Sequence, residues 1–256
     1  MTEMSSYPPG TPAWVDLRTT DVEDARRFYS GLFGWTIDPP TPEHHDSTAG
    51  MVRGRMVAGM GPLEDDREPP AWMTYVAVDD ADGVARRATE NGAVFVQPVT
   101  DVPLAGKVGS FRDPTGAALG VWQAIDHGYA EIVNEPNTLC WNELATRDID
   151  TARDFYRAVF GWGVRTNPFE GTVYTEWKVG DHSVGGMIQM TDEWPDDVPA
   201  HWMTYFAVDD CDVSTDHAEE LGGKVLDPPT DIPPGRFAVL SDPQSAVFSI
   251  LEMADE

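Results

Sequence analysis

Two hydrophobic periods alternate along this chain. Ala13-Trp-Val-Asp-Leu-Arg18 switches between apolar and polar at every second residue, which predicts a half-buried strand. From Val22 to Phe33 the period lengthens. Ala25, Phe28, Tyr29 and Leu32 recur at spacings of three and four, the stripe of an amphipathic helix. Asp21 stands at its N-cap position and Gly34 at its end. Trp35 opens another strand, and two more fit between Ala49 and Pro62. The order β-α-β-β-β then returns. A strand covers Met73–Val78, and a helix runs from Asp79 or Asp80 through Ala88 and stops at Gly92. Strands follow at Val94–Gln97, near Lys107–Phe111 and at Ala118–Gln123, the last two joined by the turn Asp113-Pro-Thr-Gly116.

The second half repeats both units. Asp21–Trp35 returns as Asp148–Trp162 with eight of fifteen positions identical, and Trp72–Asp80 returns as Trp202–Asp210 with eight of nine. The predicted elements run in parallel: strand Leu139–Ala145, helix Ile149–Phe160, a strand from Trp162, and two strands between Thr172 and Met190. Strand Met203–Val208, a helix over Cys211–Leu221 and strands near Val225, Phe237 and Phe248 complete it, with Asp242-Pro-Gln-Ser245 as the matching turn. The pattern predicts an α+β fold of four βαβββ modules in two tandem domains. Residues 1–11 read as a flexible arm, 12–123 as the first domain, 124–138 as a linker and 139–256 as the second domain.

Composition narrows the function classes. Charged residues make up 24% of the 256 positions and hydrophobic ones 41%, the profile of a globular protein. A formal net charge of -27 argues against nucleic acid and anionic membranes as partners, since both are negative. Cys140 and Cys211 do not match each other in the repeat, so no disulfide framework is expected. Neither a signal peptide nor a membrane-spanning run is apparent, and the cytoplasm is the expected location.

The segments Asp21…Ala25-Arg-Arg-Phe-Tyr29…Phe33-Gly-Trp35 and 148–162, with the Asp113-Pro and Asp242-Pro turns, carry a resemblance. From about residue 12 onward the chain resembles the vicinal oxygen chelate superfamily, which includes glyoxalase I, bleomycin-resistance proteins and extradiol dioxygenases. More narrowly, it is similar to tandem actinobacterial members described as glyoxalase-like or hydroxylase. The resemblance implies curled, mostly antiparallel sheets that form cups. Metal-dependent members line the cup with His and Glu ligands, and the metal stabilises charge on two neighbouring substrate oxygens.

Counting back seven residues from Asp21 and Asp148 reaches Trp14 and Trp141, where such a member has its first ligand. Met73 and Met203 stand at the equivalent sites of the other modules, and Gly120 and Ser249 at the sites of the expected Glu. None of these six is His or Glu, so no metal and no other cofactor is expected. His44-His45 reads as a solvated loop, His127 lies in the linker, and His182, His201 and His217 recur at no equivalent place.

Alternation places Trp14, Asp16 and Arg18 on one cup face, and Trp141, Glu143 and Ala145 on the other. Met60, Met73, Tyr75 and Trp122 join the first set, and Met187, Met203 and Tyr205 the second. These residues suggest an apolar pocket for an aromatic or otherwise apolar small molecule, although they could equally pack the core. Asp16 and Glu143 are the candidate catalytic groups, because a carboxylate in an apolar cup has a raised pKa and can act as a general acid or base. An ion pair with Arg18 competes for Asp16, whereas Glu143 has no such neighbour. Lys107 and Arg236 form a matched pair better explained by nearby aspartates than by an anion site. Two functions stay open. One is a metal-independent glyoxalase-like lyase or isomerase, or a hydroxylase-type oxidoreductase, acting on an aromatic or carbonyl metabolite. The other is a protein that sequesters a drug or metabolite without turnover. A metal-dependent glyoxalase or dioxygenase ranks below both. Tandem fusion favours a monomer or a weak homodimer.

Overall fold

The computed structural model describes residues 3–254 apart from 43–44, 66, 104, 126–127 and 170–171. His44 and His127 therefore lie outside the described residues. The first module comprises β1 (Pro12–Thr19), α1 (Val22–Phe33), β2 (Thr36–Ile37), β3 (Thr48–Val52) and β4 (Arg55–Pro62). The second comprises β5 (Ala71–Ala77), α2 (Ala81–Glu90), β6 (Val94–Val102), β7 (Gly106–Arg112) and β8 (Ala118–Ala124). The third comprises β9 (Leu139–Thr146), α3 (Ile149–Phe160), β10 (Gly163–Phe169), β11 (Thr172–Val179) and β12 (His182–Gln189). The fourth comprises β13 (His201–Ala207), α4 (Cys211–Glu220), β14 (Lys224–Ile232), β15 (Gly235–Ser241) and β16 (Val247–Met253).

Each helix starts where an aspartate accepts a backbone N–H of the first turn. Asp21, Asp80, Asp148 and Asp210 do this for α1 to α4. Gly34 and Gly161 end α1 and α3 in the left-handed conformation. β6 and β14 run through Pro98 and Pro228-Pro229, beyond the strands expected there. Both are edge strands, and their ladders shift register at the prolines, so a missing N–H is tolerated.

Two mixed eight-stranded sheets result, with orders β2-β3-β4-β1-β5-β8-β7-β6 and β10-β11-β12-β9-β13-β16-β15-β14. Consecutive modules therefore share a sheet, joined by the antiparallel β1–β5 and β9–β13 seams. The helices bind the halves together. Phe28 and Phe33 of α1 meet Phe248 of β16 and Phe206 of β13 at 6.2 and 5.1 Å between ring centres. Phe155 of α3 meets Phe111 of β7 at 5.7 Å. Tyr29 donates its buried hydroxyl across to Asp242 Oδ2 of the other half (3.1 Å) and accepts Trp72 Nε1–H from its own (3.0 Å). Tyr156 repeats this with Asp113 Oδ2 (2.7 Å) and Trp202 Nε1 (2.8 Å). Trp35, Trp72, Trp162 and Trp202 thus belong to the core, as their places at helix exits and on helix-facing positions predict.

The segment expected as an arm makes defined contacts. Met4 N–H donates to Glu131 O, Gly10 N–H to Ala77 O, and the Tyr7 hydroxyl to Ala130 O. Among the described residues no helix is long and apolar enough to cross a membrane.

Candidate functional site

Strand register decides which side chains face each cup. Val15 and Leu17 are fully buried on the helix side of β1, which leaves Trp14, Asp16 and Arg18 on the other face. Met73 lies opposite Asp16, and Tyr75 opposite Trp14. In the second half, Met203 lies opposite Glu143 and Tyr205 opposite Trp141. Trp122 pairs with Ala77, two residues beyond Tyr75, and so faces the first cup. Most of the expected cup residues therefore converge.

Met60 and Met187 do not. Met60 pairs with Leu17 and Met187 with Leu144, so both point into the helix-side core, 0% and 2% exposed. The cup positions on β4 and β12 belong to the preceding glycines, Gly59 opposite Asp16 and Gly186 opposite Glu143. A side chain at Gly59 would collide with the Asp16 carboxylate, and one at Gly186 with the Tyr174 hydroxyl. Glycine is required there by close approach.

The acid of the first cup is engaged by a neighbouring cation. Arg18 Nη2 holds Asp16 Oδ2 at 2.6 Å, and the guanidinium also reaches the Tyr75 hydroxyl. Burial pushes the Asp16 pKa up, partly opposed by Arg18. Arg18 itself stays charged at neutral pH, because a guanidinium does not give up its proton. Beside it, Trp14 is 7% exposed and meets Trp122 edge-on at 5.8 Å. Tyr129, from the connector between the domains, packs on Trp122 at 5.3 Å, and Tyr7 packs on Tyr129 at 5.5 Å.

The second cup carries a different network. Trp141 Nε1–H donates to the Tyr174 hydroxyl at 2.8 Å. Tyr205 donates to Glu143 Oε1 at 3.0 Å, and the Tyr174 hydroxyl also bonds the Glu143 carboxyl. Burial raises the Glu143 pKa, and these hydroxyls offset it only in part. Among the described residues no basic side chain is ion-paired to Glu143. Trp141, Glu143, Tyr174, Met203 and Phe237 all keep some exposure to solvent. Ser249 Oγ, opposite Tyr205, is buried without a well-formed hydrogen bond.

Tyr174 was not foreseen. Its register places it at the position of Ser47 in the first half, since Thr48 pairs with Met60 and Thr175 with Met187. The copies thus exchange two residues together: Arg18 with Ser47 against Ala145 with Tyr174. A carboxyl facing an arginine became one facing a phenol. The one signal in the sequence was the loss of Arg18's counterpart beside a retained acid.

The donor set does not suit a chelated divalent ion. The first cup centres on Asp16, engaged by Arg18; the second holds Glu143, engaged by tyrosines, and Glu176, engaged by Arg165, Asn167 and Ser183; none of the residues named on either face is a histidine. Among the described residues no three His, Cys, Asp or Glu side chains are grouped to hold an ion. Lys107 is ion-paired with Asp82, and Arg236 with Asp212 (2.7 Å) and Asp231 (2.8 Å), so neither is a free anion site. Two cavities lie outside the cups. One of about 460 Å³ lies between Met4–Pro9 and Tyr129–Glu131, and one of about 500 Å³ lies against α2 and β6. The second is open, with surface charges and apolar edge residues. In the first, the Tyr7 and Tyr129 hydroxyls already donate to carbonyls. The second cup is the stronger candidate, because there a partly exposed acid lacks a counter-ion.

Comparison with known proteins agrees with this architecture. The model of the Glyoxalase/Bleomycin resistance protein/Dioxygenase superfamily matches residues 11–121 and 124–249. A Mycobacterium tuberculosis protein named "Putative glyoxylase CFP32" is 44% identical over 263 residues, covering 100% of both chains. Anthracycline biosynthesis protein DnrV of Streptomyces peucetius is 36% identical over 267 residues, covering 98% of this chain and 96% of that one. The Mn(II)-bound glyoxalase of Novosphingobium aromaticivorans superposes with a TM-score of 0.66 at 15% identity, over 96% of this chain and 84% of that one.

Proposed function

The chain belongs to the glyoxalase, bleomycin resistance protein and dioxygenase superfamily, and from that premise we propose that its second cup binds a small aromatic or carbonyl metabolite and acts on it through Glu143, without a metal. One observation carries this reading. Glu143 projects from the middle of β9 into a partly open cup, its pKa raised by burial, with tyrosine hydroxyls rather than a cation as partners. Such a carboxyl can take a proton from a carbon next to a carbonyl, or give one to an oxygen. Trp141, Met203 and Phe237 supply apolar surface suited to a flat ring system. The relative named for anthracycline biosynthesis supports a polycyclic aromatic as one candidate. The metal-free part of the proposal rests on the donor set: Trp141, Met203 and Ser249 stand where metal-dependent relatives carry ligands.

The first cup is assigned no turnover in this proposal. Asp16 is held by Arg18, and Trp14 meets Trp122, which Tyr129 backs in turn. A second reading, sequestration without turnover, is favoured by a specific observation. Burial pushes the pKa values of Tyr174 and Tyr205 far up, so neither is a ready proton donor to pair with Glu143. Glu143→Gln separates the readings. A panel of polycyclic aromatic ketones is titrated against tryptophan fluorescence and then assayed for product by mass spectrometry. The proposed enzyme keeps ring binding in the variant and loses turnover by about 10²-fold or more. Stoichiometric binding with no product from either protein selects sequestration. Turnover unchanged in the variant rejects Glu143 as the working group.

A further inference from the structure

The internal repeat lets one cup be read as a template for the other. In the first cup a guanidinium sits on the acid, and Trp122 meets Trp14 edge-on, with Tyr129 and Tyr7 following in further edge-on contacts. In the second cup both equivalents differ. Ala145 stands at the position of Arg18, and Leu251 at that of Trp122, as the paired registers Tyr75–Gly120 and Tyr205–Ser249 fix. Among the described residues no aromatic ring packs on Trp141, which is more exposed than the 7% of Trp14. Glu143 keeps acceptor capacity beyond its tyrosine partners, since a carboxylate accepts about four hydrogen bonds. Glu176, opposite Gly186, lies on the same face but is already engaged by Arg165 (4.0 Å), Asn167 and Ser183, so Glu143 is the acid left for a ligand's cation.

We infer that the second cup selects a ligand bearing the two groups built into the first: an aromatic ring to lie against Trp141, and a cationic nitrogen, an ammonium or guanidinium, to meet Glu143. This rests on the reading of the second cup as the binding site and narrows its ligand class. The chain's charge of -27 would draw such a cation toward the protein. A cation on Glu143 would also relieve the burial of a charge that the fold leaves without a counter-ion.

The test is calorimetric titration of the intact protein at pH 7.5 with 2-naphthylmethylamine and with its neutral counterpart, 2-naphthylmethanol. The amine is expected to bind about tenfold or more tightly. Glu143→Gln, which keeps the side-chain shape, is expected to bring the two within about twofold. Ala145→Arg, which gives Glu143 the guanidinium that Asp16 has, is expected to remove the preference as well, with folding checked by circular dichroism. Equal binding of the two compounds to the wild-type protein overturns the cation inference and leaves the aromatic-site reading standing. A preference that survives Glu143→Gln places the cation elsewhere and also overturns it. Binding of neither compound overturns both.

Discussion

Asp16 and Glu143 hold equivalent places and burial raises the pKa of both, but only Asp16 is held by a guanidinium, so substituting them should have different effects. Glu143 is raised by burial with no cation nearby, so the folded protein disfavours its charged form. A raised folded pKa means that the group's favourable contribution is present below its ordinary value of 4.5 and is lost as pH rises through the folded value. Glu143→Gln should therefore raise the Tm at pH 7–8, and the gain should shrink toward zero near pH 4. Asp16→Asn has the opposite effect at neutral pH, because it leaves the Arg18 guanidinium partly buried without its anion. A loss of about 1–3 kcal/mol is expected. Differential scanning fluorimetry of both variants across pH 4–8 checks this. A Tm for Glu143→Gln below wild type at pH 8 would mean that the tyrosine bonds outweigh desolvation and that the acid is structural. If the gain appears, Glu143 is kept at a cost in stability, as expected of a working group rather than a packing one.

At the scale of elements, the turns before the last strand of each half show how far the repeat extends. Gly116 closes the first turn at φ 100°, while Ser245 holds the same place in the second at φ 76°. A residue with a Cβ is strained there and glycine is not. Ser245→Gly should stabilise the protein by about 0.5–1 kcal/mol, measurable by urea unfolding; a loss instead would mean that the serine side chain supports the turn. These elements were legible in the sequence because the two periods, the aspartate caps and the glycine stops all agree. The faces of β1, β5, β9 and β13 were legible too, since alternation fixes them once one buried residue is placed. Met60 and Met187 misled for a physical reason. In Val-Ala-Gly-Met and Val-Gly-Gly-Met the bulky residue draws attention, yet the cup face belongs to the glycine before it. Tyr174 escaped because its role depends on which strand lies beside β12, and its counterpart by register, Ser47, gives no hint of a phenol there. The pairing of modules into cups was likewise hidden, because strand order is a long-range property that local periodicity does not encode.

The whole molecule is held together by exchange between its halves. α1 of the first half buries Phe28 and Phe33 against β16 and β13 of the second, and α3 returns the contact on β7. Tyr29 and Tyr156 add a buried hydroxyl to each side of this pseudo-symmetric joint, each accepted by an aspartate of the opposite half. Tandem family-model matches would suggest two independent bodies, but this shared interior argues that neither half unfolds alone. Thermal unfolding should be one transition by near-ultraviolet circular dichroism and by calorimetry, with calorimetric and van't Hoff enthalpies equal. Tyr29→Phe should leave Asp242 Oδ2 and Trp72 Nε1 without their shared partner and cost about 1–3 kcal/mol. The whole transition should move down together, although the substitution lies in only one half. Two separated transitions, or a shift confined to one of them, would show that the joint is not cooperative. Ligand in the second cup could not then stabilise the first half. If the transition is single, a ligand bound at Glu143 should raise the melting temperature of both halves equally, since mass action on one cooperative unit acts on all of it.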